Sequence, residues 1–175
     1  MVLDTKPYNN RSYRMGKNQT LISSKRIRRL KVQGYCNFSD GEISQFSFGN
    51  KFAFIICSSL LLLGVVTSNI PILLVMMLIA LFGIILPYHP FDYIYNYALA
   101  RRLDKPQLPP RSKQLKFACT IATLMIGITI YLFYAGYSTA GYITGGSLFL
   151  VAFLVSTTDI CIPSIIFNFL FKVEI

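Results

Sequence analysis

Hydrophobic residues in this chain are concentrated in two long runs without charge. Residues 52–87 contain no Asp, Glu, Lys or Arg, and neither do residues 117–158. One transmembrane helix needs about 20 apolar residues, so each run is too long for one helix and about long enough for two. Turn-forming residues interrupt the runs at 67–71 and 136–141. The pattern therefore predicts an all-α integral membrane fold with four transmembrane helices in two hairpins, at 52–66, 72–86, 117–135 and 142–158.

The segment between the two runs has a different pattern. Apolar residues recur at helical spacing over 90–103, which is typical of a helix lying along a surface. The charges of Asp92, Arg101 and Arg102 oppose insertion, at about 2.5 to 3.5 kcal/mol for each charge at a helix centre. Residues 164–171 are apolar but too short to span a bilayer. We therefore predict interfacial helices on the cytoplasmic face at 90–103 and 164–171.

The residues before the first run divide into a polar tail and a helix start. Residues 1–34 are polar and basic, with too few apolar side chains to bury a core. In contrast, Ser39-Asp40-Gly41-Glu42 has the form of a capping box, which predicts that a helix begins there. We predict a disordered cytoplasmic tail over 1–34 and one four-span membrane domain over 35–175.

The basic residues orient this topology. All 17 lysine and arginine residues fall on the side that holds the tail, the segment between the hairpins and the C-terminus. Excess positive charge marks the cytoplasmic side of a membrane protein, so both termini are expected in the cytoplasm. The net charge of +10 can also indicate nucleic acid, but a chain that is 54% hydrophobic and 14% charged is outside the range of soluble domains. We expect a lipid bilayer as partner and no nucleic acid.

Basic side chains near the membrane can bind anionic lipid headgroups, at about 1 kcal/mol each. Six arginines are candidates for this contact: Arg26, Arg28, Arg29, Arg101, Arg102 and Arg111. The alternative is that the basic residues act only as a topological signal. Gly141 and Gly145 form a GxxxG pair, which permits close helix packing and is compatible with a homo-oligomer.

Three stretches of the chain resemble a known family. They are GYCNFSDGEIS, PYHPFDYIYNYALARRLDKPQLPPRSKQLKFAC and STTDICIPSIIFNF, and they are similar to the bacterial membrane proteins known as domain of unknown function 4395. The resemblance covers residues 34–171. It implies a bacterial inner-membrane protein of about four spans, in which Cys36, His89, Pro90, Asp92 and Cys161 fall within the family's recognisable segments. No activity is established for the family, so the resemblance implies no substrate.

Cysteine, histidine and aspartate residues supply the candidate chemistry. The topology places Cys36, His89, Asp92, Asp159 and Cys161 at one level of the cytoplasmic face, where the folded chain can gather them. Such a patch can bind zinc or carry reversible thiol chemistry. The alternative is structural, because His-Pro-Phe-Asp can start a helix and Asp159 can pair with an arginine of the central segment.

These features favour three functional classes. The first is an accessory or scaffold membrane protein with a cytoplasmic docking face, which needs no catalytic residue or cofactor. The second is a thiol- or sulfur-handling protein that uses Cys36 and Cys161, with a thioredoxin-like partner. The other two cysteines, Cys57 and Cys119, lie inside spans, and we interpret them as small apolar residues. A small transporter ranks last, because it needs polar or ionisable groups at mid-membrane and the spans offer only Ser, Thr and Asn, near their ends or scattered.

Overall fold

A computed structural model describes residues 22–102 and 105–173. These residues form α-helices and no strand, which confirms the all-α prediction for the described part of the chain. The helices are α1 Ser24–Leu30, α2 Asp40–Val66, α3 Ile70–Ile85, α4 Pro90–Ile94, α5 Ala100–Arg102, α6 Lys113–Tyr134, α7 Ser138–Thr158 and α8 Ile162–Leu170. A wider, π-helical turn at Lys31–Tyr35 follows α1. A second one, at Tyr95–Leu99, joins α4 to α5.

The four long helices form a closed bundle. α2 packs against α3 and α7, and α6 packs against the same two helices, so each hairpin contacts the other through both of its helices. One end of the bundle has a core of aliphatic side chains from all four helices: Leu61, Val65, Leu73, Met76, Ile126 and Leu148. A second core joins α1, α2, α6 and the residues after α4 at the other end, and it contains Leu30, Tyr35, Phe46, Tyr95 and Leu115.

Helix length separates α3 from the other bundle helices. Among the described residues, α2, α6 and α7 are each long and apolar enough to cross a membrane. α3 has 16 residues; it passes the same test only together with Pro90–Arg102, and that pair is bent by 80°. The structure therefore contains three candidate spans, or four if the bent pair forms one.

Local capping signals act as the sequence predicts. Glu42 N donates to Ser39 Oγ over 3.4 Å, and Ser39 N donates to Glu42 Oε2 over 2.8 Å. This capping box starts α2 and satisfies backbone donors that the first helical turn leaves unpaired. α2 then continues without a break from the capping box into the first predicted span, 52–66.

The predicted disordered tail is wrong for residues 24–34. α1 and the following turn pack on α2, α6 and α8, and Ile27, Leu30 and Tyr35 are buried. This segment has few apolar side chains, but they pack against the apolar end of the bundle. The segment therefore needs no core of its own. Residues 1–21 lie outside the described residues.

The segment after α3 is folded back onto the bundle. Residues 90–102 are helical, as predicted, and α4 packs on α2 and α3. The proline-rich connector that follows is fixed by Leu108 N, which donates to Asn96 Oδ1 over 2.7 Å, and by Arg111 N, which donates to Pro87 O over 2.8 Å. These bonds bring the start of α6 back beside the end of α3. The predicted 164–171 helix corresponds to α8.

Candidate functional site

The bundle contains a partly open apolar cavity of about 310 Å³. Side chains from α2, α3, α6, α7 and α8 line it, and most of them are alanine, leucine, isoleucine, methionine or valine. Its polar or reactive lining residues are few and come from different parts of the chain: His89, Arg111, Ser147, Cys57, Cys119 and Cys161. The cavity is therefore an apolar space in which a small set of polar groups can act.

A buried ion pair anchors one end of the cavity. Arg111 Nε lies 2.5 Å from Asp92 Oδ2, and Arg111 Nη2 lies 2.8 Å from Asp92 Oδ1. Asp92 is 1% exposed and Arg111 is 8% exposed. Bidentate arginine–carboxylate pairs are strong and geometrically specific. Arg111 also stacks on Phe54, 5.2 Å from the ring centre.

His89 occupies the N-cap of α4. Its backbone N donates to Asp92 Oδ2 over 3.2 Å, and its ring Nδ1 accepts from Phe91 N over 3.4 Å. Burial, assisted by the charge of Arg111, lowers the pKa of His89 to about 4. The ring is therefore neutral near pH 7, and because Nδ1 accepts a hydrogen bond, Nε2 carries the ring hydrogen.

Two cysteines of the spans lie near His89 inside the bundle. Cys57 Sγ lies 4.0 Å from His89 Nε2. At Gly83 of α3, an added Cβ would lie 2.8 Å from His89 Cδ2 and 3.0 Å from Cys119 Sγ. The missing side chain at Gly83 therefore lets both the imidazole and a thiol approach the helix backbone.

The two cysteines predicted as a reactive pair have different surroundings. Cys161 lines the cavity and is 4% exposed, and burial raises the pKa of its thiol, which keeps it protonated. Cys36 is exposed, and its thiol donates to Lys31 O over 3.2 Å. Cys36 is not one of the cavity-lining residues.

Asp159 belongs to a separate structural cluster at the end of α7. Arg26 Nε lies 2.6 Å and Lys51 Nζ lies 3.3 Å from Asp159 Oδ2. Gln33 donates to Asp159 O over 2.8 Å. The prediction that Asp159 pairs with an arginine of the central segment is therefore wrong. Asp159 instead connects α1 and α2 to the end of α7. The predicted patch divides: His89 and Cys161 line the cavity, Asp92 pairs with the cavity-lining Arg111, and Cys36 and Asp159 do not line the cavity.

The described residues contain no group of three or more His, Cys, Asp or Glu side chains arranged to hold a metal ion. The six candidate headgroup-binding arginines also separate. Arg28, Arg101 and Arg102 are exposed, whereas Arg26 pairs with Asp159 and Arg29 donates to Thr158 O over 2.7 Å. For Arg111 the surface prediction is wrong, because its side chain is buried.

Sequence reasoning missed Arg111, Cys57 and Cys119 as cavity residues. Arg111 directly precedes Ser112, the N-cap of α6, which places it at one end of the bundle but does not show that its side chain is buried. Its pairing with Asp92 depends on the folded-back connector, which no local pattern shows.

The fold indicates a class of protein. Three apolar helices of transmembrane length, packed in one bundle, are compatible with a multi-pass α-helical membrane protein. Within that class, the chain belongs to the family described as Domain of unknown function (DUF4395), which matches residues 49–172. The match confirms the resemblance and includes all of the cavity-lining cysteines, His89 and Arg111, but it begins after Cys36. No curated protein and no solved structure matches the chain.

Proposed function

We propose that this protein binds a small, largely apolar molecule inside its helix bundle. The observation that carries the proposal is the cavity of about 310 Å³, lined mainly by apolar side chains from five helices. Ligand pockets in proteins measure about 300–1,000 Å³ and combine apolar walls with a few polar groups. A cavity at the lower end of this range favours a molecule of modest size.

The membrane arrangement that accompanies this function has four spans, with α3 as the fourth. α3 packs against α2 and α6 as a full member of the bundle, and the bilayer can thin locally around a short span. α8 packs against the Lys31–Tyr35 turn, so the described N- and C-terminal segments share one end of the bundle. That end carries the lysine and arginine residues that the structure describes, which favours the cytoplasmic side of a bacterial inner membrane.

Cysteine labelling tests this orientation. Cys36 and Ser138 are both exposed but lie at opposite ends of the bundle. In intact cells, a membrane-impermeant maleimide is expected to label Ser138→Cys and to leave Cys36 unlabelled until the membrane is permeabilised. Labelling of Cys36 in intact cells, with protection of Ser138→Cys, would reverse the topology.

A cavity-filling substitution tests the binding function. Ala122 lines the cavity, so Ala122→Phe places a ring in the space that a ligand would occupy. In nanodiscs, undecane at a hundredfold excess over its Kd is expected to stabilise the wild-type protein by about 2–3 kcal/mol, and to have no such effect on the variant. The measurement is thermal unfolding with and without undecane.

Leu124→Phe is the matched control. Leu124 lies on the same helix and is 63% exposed, so an aromatic ring there leaves the cavity open and the undecane effect is expected to remain. An undecane shift that survives in Ala122→Phe would place binding outside the cavity and refute the proposal.

An accessory role with a cytoplasmic docking face is the second candidate. It is favoured by the exposed basic side chains at the end of the bundle that holds α1 and α5, namely Lys25, Arg28, Arg101, Arg102, Lys105 and Lys113. Such a surface suits anionic lipid or an acidic protein segment. For the thiol-handling alternative, Cys36 would have to act without Cys161, because the Cys161 thiol is buried.

A further inference from the structure

We propose that the molecule bound in the cavity carries a neutral hydrogen-bond acceptor, such as a ketone, ester or amide carbonyl, and that His89 and Arg111 bind this group. The inference rests on the proposed function and adds the chemical class of the ligand. It follows from the donors that line the cavity and from the charge balance around them.

His89 supplies the first donor. Its Nδ1 is occupied by the bond from Phe91 N, so the ring hydrogen is on Nε2. Nε2 contacts Cys57 Sγ at 4.0 Å, and a thiol sulfur is a weak acceptor. His89 is 5% exposed, so a stronger acceptor than the thiol has to come from inside the cavity, and a carbonyl oxygen there would satisfy this donor better.

Arg111 supplies the second donor. Its Nε and Nη2 both donate to Asp92, and the guanidinium has further N–H groups on Nη1. Among the described residues, the hydrogen bonds of Arg111 run from Nε and Nη2 to Asp92 and from its backbone N to Pro87 O. Since the Arg111 side chain lines the cavity, the N–H groups on Nη1 are available to a ligand oxygen.

Charge balance determines that the acceptor is neutral. The charge of Arg111 is already compensated by Asp92, and the imidazole of His89 is uncharged near pH 7. A carboxylate bound here would therefore add a buried charge without a counter-ion, and uncompensated buried charge is strongly unfavourable. A carbonyl accepts both hydrogen bonds without this cost.

Three eleven-carbon probes separate these cases: 2-undecanone has a neutral acceptor, undecane has none, and undecanoate carries a charge. Each is titrated against the full-length protein in nanodiscs, and occupancy is read as protection of Cys57 and Cys119 from N-ethylmaleimide by peptide mass spectrometry. Exposed Cys36 is the internal reference, and thermal shifts give the same ranking independently of thiol reactivity. We expect 2-undecanone to protect at a concentration about tenfold lower than undecane, and undecanoate to protect least.

Two variants assign the preference to the named donors. His89→Asn keeps an N-cap residue that can accept from the backbone but removes the ring donor, and Arg111→Lys keeps a charge for Asp92 but removes the guanidinium. Each is expected to abolish the preference for 2-undecanone over undecane while undecane still binds. Equal binding of undecane and 2-undecanone by the wild-type protein, or tightest binding of undecanoate, would overturn this inference alone. Failure of all three probes would refute the proposed function itself.

Discussion

Replacing Asp92 with alanine is expected to destabilise the protein by about 3–5 kcal/mol, which is the usual cost of removing one partner of a buried ion pair. The substitution leaves the Arg111 guanidinium with 8% exposure and no counter-ion. It also removes the carboxylate that accepts from His89 N at the start of α4. The loss is measured as the free energy of unfolding in denaturant titrations of the detergent-solubilised protein.

Asp40→Ala is the matched control for this prediction. Asp40 lies 2.8 Å from Lys31 Nζ, but its side chain is 59% exposed, and surface ion pairs contribute less than about 1 kcal/mol. The double variant Asp92→Leu/Arg111→Met removes both charges together and is expected to recover most of the lost stability. If Asp92→Ala were no more harmful than Asp40→Ala, the ion pair would not stabilise this end of the bundle.

The positions of the helices are predictable because their signals are local. Uncharged runs of transmembrane length placed the bundle helices, and the described helices fall at these places. The Ser39–Glu42 capping box needs only residues three apart, and both of its hydrogen bonds form. Because these bonds join residues that are close in sequence, a capping box can be recognised without knowing the rest of the fold.

The fold of residues 24–35 was not predictable in the same way. Counting apolar residues treats a segment as if it had to bury its own core, whereas this one docks on α2, α6 and α8. Polar side chains also attach this segment, through hydrogen bonds to residues that are distant in sequence. Gln33 donates to Asp159 O, and Asn50 Nδ2 donates to Gln33 Oε1 over 3.1 Å. The bond to Asp159 joins this segment to the second hairpin, so it depends on the whole fold and no local pattern shows it.

The candidate site was predictable in part, for the same reason. Position along the chain predicts that His89 and Cys161 lie at one level, and both line the cavity, but side-chain orientation decides which groups share a space. Cys36 faces solvent, while Cys57 and Cys119 face the cavity although each lies within an apolar helix. A cysteine in a span has no periodic signal that separates a lipid-facing position from a cavity-facing one.

The attachment of α1 leads to a second prediction of large effect, at Gly34. This residue has φ 97°, a left-handed conformation that costs a residue with a side chain about 1–3 kcal/mol. A Cβ there would also lie 2.5 Å from Ser112 Cβ, and it would collide with Gln114 Oε1. We expect Gly34→Ala to destabilise the protein by about 2–4 kcal/mol, because overpacking adds to the backbone strain.

Limited proteolysis locates the effect of Gly34→Ala. The Lys31–Tyr35 turn is attached to α6 and α8 by Ser112 Oγ, which donates to Gln33 O, and by Asn168 Nδ2, which donates to Val32 O over 2.8 Å. Displacing the turn breaks both bonds, so local opening should expose the basic residues of α1 to trypsin. Each 1.4 kcal/mol lost from local stability raises the population of the open form about tenfold. Trypsin is therefore expected to cleave α1 at least tenfold faster in the variant. Gly41→Ala is the control, because a Cβ at Gly41 meets nothing within 4 Å and cleavage should be unchanged. Equal cleavage of the two variants would show that the close approach of Gly34 to α6 does not hold α1 in place.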